Sequence, residues 1–413
     1  MTDKFREISE CRISGDSHLI KVLSLGEQVL TGVFPRDRDQ HITKGPLDLV
    51  WNPISGLLQL GHSYDLSEMY GANYGYRSGL NESMVRHLKN KVDFLVKRRP
   101  ISQGDVILDI GSNDGTLLSL YTEKNLRKVG IDPTGNKFAD FYGDGIDLIA
   151  DFFNAETFRK LHPDRNAAII TSIAMFYDLE RPAEFVKDIS NILDDTGIWH
   201  FEQSYMPAML RTGAYDTVCH EHLEYYSIGV IKSLLEANEL KIIDVQLNGV
   251  NGGSCAITAA RIDSKMTPNS GVIDWLLGQE ERMELDTPKA YRDFESRVFR
   301  HRNDLMRLVE SLTASKKTIA GYGASTKGNV LLQFCGFTET EIPCIAEINP
   351  DKFGCYTPGS LIPIQPEKDV KAMKPDYMLV LPWHFKEHII NREREYLANG
   401  GRLIFPLPEI EIV

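Results

Sequence analysis

Apolar and polar positions alternate along this chain in two repeating patterns. Residues 106–110 read Val-Ile-Leu-Asp-Ile, a nearly unbroken apolar run set between Gly104 and Gly111. Such a run predicts a strand buried on both faces, as in a parallel sheet. Runs at 128–131, 167–172, 197–203, 241–247 and 254–262 predict further strands. Between them, 82–96, 182–193 and 231–240 carry apolar residues at helical spacing, the first with Asn81 placed as its N-cap. Strands alternating with helices predict a Rossmann-like domain over residues 78–262.

Residues 1–77 differ. Their apolar runs are short and broken by Gly, Pro, Asn and Asp, which predicts a small β-rich module. A polar connection at 263–287 leads into a long helical period at 287–315. A second strand–glycine loop–helix unit then begins at Thr318, with strands to follow at 343–348, 377–381 and 402–405. The expected fold class is therefore α/β in three parts: the N-terminal module at 1–77, the middle domain at 78–262 and a Rossmann-like C-terminal domain at 263–413.

Composition narrows the partners. With 42% hydrophobic and 25% charged residues the chain is ordinary for a globular protein, and no apolar run reaches the length of a membrane span. A formal net charge of −12 opposes binding to nucleic acid or to an anionic membrane, but a local basic pocket still suffices for an anionic small molecule. The opening residues Met-Thr-Asp-Lys-Phe-Arg-Glu lack a signal-peptide core, and the six cysteines are scattered without a CxxC pair. A cytoplasmic protein with reduced thiols is expected, as a monomer or homodimer.

Two stretches carry chemistry. In the first, the strand with Asp109 runs into Gly111-Ser-Asn113-Asp-Gly115, and a helix opens at Thr116. The glycines allow a tight turn and close approach to a ligand, and the helix N-terminus favours an anionic group. A dinucleotide fingerprint fails, because Asn113 and Thr116 stand where its second and third glycines belong. Asp132, at the end of the next strand and followed by Pro133, is placed to hold a ribose diol. The second stretch, Tyr215 to Tyr226, reads Tyr-Asp-Thr-Val-Cys-His-Glu-His-Leu-Glu-Tyr-Tyr. His220 and His222 lack a third partner and an HExxH pattern, so general acid–base work is the reading that suits them ahead of metal binding or core packing. The C-terminal loop Gly321-Tyr-Gly323-Ala-Ser-Thr326-Lys327, with Glu347 on the following strand, suggests a nicotinamide site on its own, but Thr326 breaks the fingerprint.

The order strand, acid, glycine loop, helix, strand, acid resembles the S-adenosylmethionine site of class I methyltransferases. The resemblance extends over nearly the whole chain to sugar C-methyltransferases, through Cys11-Arg-Ile-Ser14, Met69 to Asn81, the His-Glu-His segment, Asn248 to Gly253, Gly321 to Asn329 and Tyr356 to Pro363. It implies a cofactor site built from Asp109, Gly111, Asn113, Gly115, Asp132, Pro133 and Ser172, with Asp151 on the adenine amine and Phe152 on the ring. It implies a substrate site holding a nucleotide-diphosphate sugar with Tyr74, Arg77, Ser78, Asn81, His220, Lys327 and Asn329. It places Tyr76, Glu221 and His222 at the reacting carbon. That family carries two zinc-binding CxxC pairs, where this chain has Cys11, Ser14, Asn52 and Ser55. One thiolate does not make a tetrahedral site, and His18, His41 and His62 read as surface or packing residues, so no metal is expected.

The resemblance implies methylation at C-3 of a nucleotide-linked 4-keto deoxysugar, with His222 as base, Glu221 orienting it or binding a hydroxyl, and Tyr76 donating to the enolate oxygen. A nicotinamide-dependent sugar oxidoreductase, an O- or N-methyltransferase and a non-catalytic nucleotide-sugar binder stay open at this point.

Overall fold

The computed structural model describes residues 4–69 and 77–413. Its centre is a seven-stranded sheet, in spatial order Leu240–Asn248, Ser254–Arg261, Leu193–Ser204, Ala167–Ile173, Val106–Ile110, Arg127–Ile131 and Ile146–Ile149. Ser254–Arg261 runs antiparallel to both neighbours, and the remaining pairings are parallel. The apolar run at Val106–Ile110 is buried at all five positions, as a strand covered on both faces requires. Asn81 caps the helix Glu82–Arg98, its side chain accepting from the Ser83 amide.

The N-terminal part forms an antiparallel sheet of Ile20–Val29, Lys44–Trp51 and Leu58–Leu60. Its fourth strand, Glu224–Tyr225, comes from far downstream, just after the His-Glu-His segment. The C-terminal sheet has six strands: Ile364–Pro366, Ile345–Glu347, Ile319–Tyr322, Tyr377–Val380 and Arg402–Phe405 are parallel, and Glu411–Ile412 closes the edge antiparallel.

One apolar cluster joins all three parts. Trp51 of the first sheet lies 5.1 Å from Tyr291 on the long helix Pro288–Ala314, and Tyr215, Val218 and Phe334 belong to the same cluster. The residues that follow Tyr215 are therefore anchored where three units meet.

The connection at 263–287 is not irregular throughout, as its polarity suggests. It contains the helix Ser270–Arg282, which buries Ile273, Leu276 and Glu280 on one face. The acid on that face hides the period, yet it has a use. Glu280 accepts from the amides of Ile228 and Gly229 and from the Tyr205 hydroxyl, so it caps the helix Ile228–Glu236.

Candidate active site

The first pocket opens at the C-terminal ends of the central strands, where open α/β sheets bind ligands. Asp109, Gly111, Asn113, Asp132, Pro133 and Phe152 line it, along with Ser78 and the turn Ala174–Met175. Gly111 has φ +72°, and a Cβ there would stand 3.0 Å from Met175 Cγ and fill the cradle. Asp132 is fixed before any ligand arrives. One oxygen accepts from the Asn113 amide at 2.8 Å, the other from the Thr134 amide at 2.7 Å. Burial, with Asp132 nearby, pushes the Asp109 carboxyl up to about 7 despite a Thr171 hydroxyl donated at 2.6 Å. The loop itself rests on Tyr142, whose hydroxyl donates to the Asn113 carbonyl at 2.9 Å and lies 2.7 Å from the Ser112 hydroxyl. These residues fit S-adenosylmethionine. Asp132 keeps lone pairs for a diol, Gly111 gives close backbone approach, and Pro133 with half-exposed Phe152 offers an apolar wall for the base.

The second group lies at the junction of the three sheets. His222 Nδ1 stands 2.9 Å from the Thr217 carbonyl. A carbonyl only accepts, so Nδ1 carries the proton and Nε2 presents a lone pair. Burial, reinforced by the Lys327 ammonium, holds the His222 pKa down at about 4, which keeps the ring neutral. The ring sits edge-on to Tyr177, 4.4 Å between centroids, and the Tyr177 carbonyl accepts from the Leu223 amide. Tyr177 lies in the same turn as Met175 and Asp178, which line the cofactor pocket, so the histidine and the pocket share a wall. Glu221 presses toward the N-terminal module, where a Cβ at Gly32 would collide with its carboxylate and lie 3.8 Å from Thr326 of the C-terminal unit. Burial pushes the Glu221 carboxyl up, and its Oε2 is buried without a hydrogen-bond partner.

Several expected site residues are placed elsewhere. Ser172 is fully buried and accepts from Trp199 Nε1 at 3.1 Å; it supports the core behind the pocket. Gly115 turns the loop at φ +72° with its Cα face against the Tyr142 ring, and Asp151 is exposed. His220 is fully buried edge-on to Tyr64, and burial drops its pKa to about 3; it packs the N-terminal sheet and is shut off from a substrate. Asn329 is also buried, its amide donating to the Thr31 carbonyl at 2.8 Å, so it docks the C-terminal unit on the N-terminal module. Arg77 lies 3.4 Å over the Phe141 ring and 3.5 Å from Asp114, and the Ser78 amide donates to Asn113 Oδ1. Both brace the cofactor loop, and Asn81 is a helix cap. Lys327 is half-buried at the junction, where burial lowers its pKa against the pull of Asp216. Tyr74 and Tyr76 lie outside the described residues.

Two residues at the junction went unread in the sequence. Asp216 is buried and accepts from Trp383 Nε1 at 2.7 Å, with its Oδ1 unpartnered. His384 is held down at about 3 by burial and by Lys327, and its Nδ1 is buried without a partner. The signal for His384 was its place just past the end of a predicted parallel strand. Glu202 has the opposite fate. Burial opposes its charge, but His87 at 2.6 Å and Lys91 at 2.7 Å hold its pKa at about 2, and Asn248 donates at 2.8 Å. It pins the helix Glu82–Arg98 to the sheet.

Three family models match the chain: a "Putative zinc binding domain" at residues 11–70, a "Methyltransferase domain" at 80–245 and a "C-methyltransferase C-terminal domain" at 249–408. The C-methyltransferase NovU of Streptomyces niveus is 32% identical over 416 residues, covering 100% of this chain and 99% of its own. Among solved structures, the N-methyltransferase NodS of Bradyrhizobium japonicum with S-adenosyl-L-homocysteine is 12% identical, covers 44% of this chain and 88% of its own, and superposes with a TM-score of 0.31. The magnesium protoporphyrin IX methyltransferase of Synechocystis PCC 6803 is 12% identical, covers 46% of this chain and 90% of its own, and gives 0.34.

Proposed function

We propose, for a chain that belongs to the family of S-adenosylmethionine-dependent C-methyltransferases, that it methylates C-3 of a nucleotide-linked 4-keto deoxysugar through an enolate. The observation that carries this reading is His222: a neutral imidazole with Nδ1 committed to a carbonyl and Nε2 left as a base, on a wall shared with the cofactor pocket. A proton beside a ketone is acidic enough for such a base. S-adenosylmethionine, when bound, supplies a methyl group already activated on sulfur. His222 Nε2 takes the C-3 proton, and the electron pair left on the enolate forms the new carbon–carbon bond. Tyr76 donates to the developing oxygen. Glu221, pushed toward its neutral form, binds a sugar hydroxyl. Lys327 at the junction answers the charge of a diphosphate. The chain's main contribution is to hold the two reactants in line and away from water, an effect worth roughly 7–11 kcal/mol of the barrier.

The test is exchange of the C-3 proton with deuterated water, with S-adenosyl-L-homocysteine filling the cofactor site. Wild type exchanges it. His222→Ala loses exchange and loses kcat by roughly 10²–10⁴, the usual worth of general acid–base catalysis, while cofactor affinity in calorimetry stays unchanged. Exchange at the wild-type rate in His222→Ala sinks the assignment.

The pH profile follows from the same group. A base must be unprotonated, and burial lowers the pKa from an ordinary 6.5 to about 4. The rate is therefore flat through the range in which a free histidine titrates and falls only as pH drops toward 4. A limb centred near 6.5 would point to an exposed base instead.

A further inference from the structure

Cys11 and Asn52 open two copies of one turn. In each, the amide four residues on donates to the first carbonyl at 2.9 Å (Gly15 to Cys11, Gly56 to Asn52). In each, the first residue's own amide donates five residues on, to Asp16 at 2.9 Å and to Leu57 at 3.0 Å. Both glycines hold positive φ, +67° and +74°, where a side chain is strained. The first and fourth side chains of one turn meet those of the other. Cys11 Sγ lies 3.2 Å from Ser55 Oγ, and the Ser14 hydroxyl is 3.4 Å from Asn52 Oδ1.

Facing turns of this kind, each presenting side chains three apart, are the scaffold of a four-ligand metal site. The donor set does not fit one. A single thiol, two hydroxyls and an amide lack the thiolates or imidazoles that hold zinc, and among the described residues no group of three His, Cys, Asp or Glu is arranged for a metal. Instead Asn52, fully buried, uses both donors and its acceptor. Its amide donates to Asp16 Oδ1 at 2.7 Å and to the His18 carbonyl at 3.0 Å, and its Oδ1 accepts from the Ser55 amide at 2.8 Å and the Ser55 hydroxyl at 2.9 Å. Sulfurs around zinc stand about 3.8 Å apart, given bonds of about 2.3 Å, so the cluster here is a site closed up on itself.

We propose that the Asn52 hydrogen-bond hub has taken over the fold-holding role of a metal at residues 11–55, so that this module is metal-independent while its two turns still have the geometry to hold zinc. This inference is independent of the reaction and departs from what the zinc-domain match implies.

The experiment uses the full chain, expressed in zinc-supplemented medium, with elemental analysis and thermal melting before and after EDTA. Wild type carries no stoichiometric zinc and melts at the same temperature with chelator. Asn52→Ala, which leaves Asp16 and Ser55 without their partner, melts lower. The triple variant Ser14→Cys/Asn52→Cys/Ser55→Cys takes up one zinc per chain, and EDTA lowers its melting temperature. One zinc per chain in wild type, lost on Cys11→Ser, overturns the proposal, as does Asn52→Ala melting like wild type. A triple variant that takes up no zinc, folded or not, overturns the claim that the turns keep a metal-binding geometry.

Discussion

After Ile110 and again after Tyr322 the chain makes the same move: a buried strand ends, a glycine with positive φ turns it, a helix opens and the next strand delivers an acid. At the first site Asp132 takes amides from Asn113 and Thr134 yet still faces an open pocket. At the second, Glu347 spends itself on the chain: it accepts from Ala324, Ile348 and Asn349, and Lys352 adds a bond to the Ala324 carbonyl at 2.7 Å. The glycines tell the same story. A Cβ at Gly111 meets the Met175 side chain, 3.0 Å from its Cγ and 3.3 Å from its Cβ, whereas one at Gly323 stands 2.8 Å from the Pro382 ring. One unit keeps its cradle open and the other fills it. A Rossmann-like unit is thus a scaffold whose use depends on what packs against the loop, and here the second one is spent on docking and on supplying Lys327 and His384 to the junction.

The sharpest way to break this contrast is to remove each acid. Asp132→Ala weakens S-adenosylmethionine binding by about 1.5–3 kcal/mol, the worth of a hydrogen bond to a charged group, and also lowers the melting temperature, because the Asn113 and Thr134 amides lose their acceptor. Glu347→Ala costs stability without costing affinity. It strands the buried Ala324 amide at about 1–3 kcal/mol, leaves the Ile348 and Asn349 amides to water, lowers the melting temperature and leaves cofactor affinity in calorimetry alone. Equal loss of affinity in both would mean the two acids are not distinguished in this way. A smaller effect comes from the glycines. Each alanine costs about 1–2 kcal/mol for its left-handed backbone, but Gly111→Ala shows it in cofactor affinity and Gly323→Ala, against a rigid proline, in thermal stability. Smallest is Lys352→Met, which removes one bond to a carbonyl. A loss of about 1 kcal/mol in denaturant unfolding, with unchanged cofactor binding, is expected.

Much of this was legible from the chain alone, where local chemistry decides the outcome. The run 106–110, the Asn81 cap and the acid at 132 need only their neighbours, and each stands where its pattern places it. The fates of His220 and Asn329 depended on distant partners. Pattern does not reveal that Thr31 waits for the Asn329 amide, or that Tyr64 closes over His220. The helix Ser270–Arg282 was hidden for a related reason: its buried face includes an acid whose partners lie on another helix. Asp216 stood in a stretch already singled out, yet its tie to Trp383 crosses between units and leaves no trace in spacing.

The strand Glu224–Tyr225 has a consequence for how the molecule comes into being. It seals the edge of a sheet whose other strands were all made before residue 61, and the Leu60 amide bonds to the Leu223 carbonyl beside it. On the ribosome that edge therefore waits, uncapped, while the whole first half of the central sheet is synthesised, and an open edge is a template for wrong pairing. The first module of the chain is thus finished only after five strands of the central sheet have been made, and its completion clamps the segment bearing His222 into place.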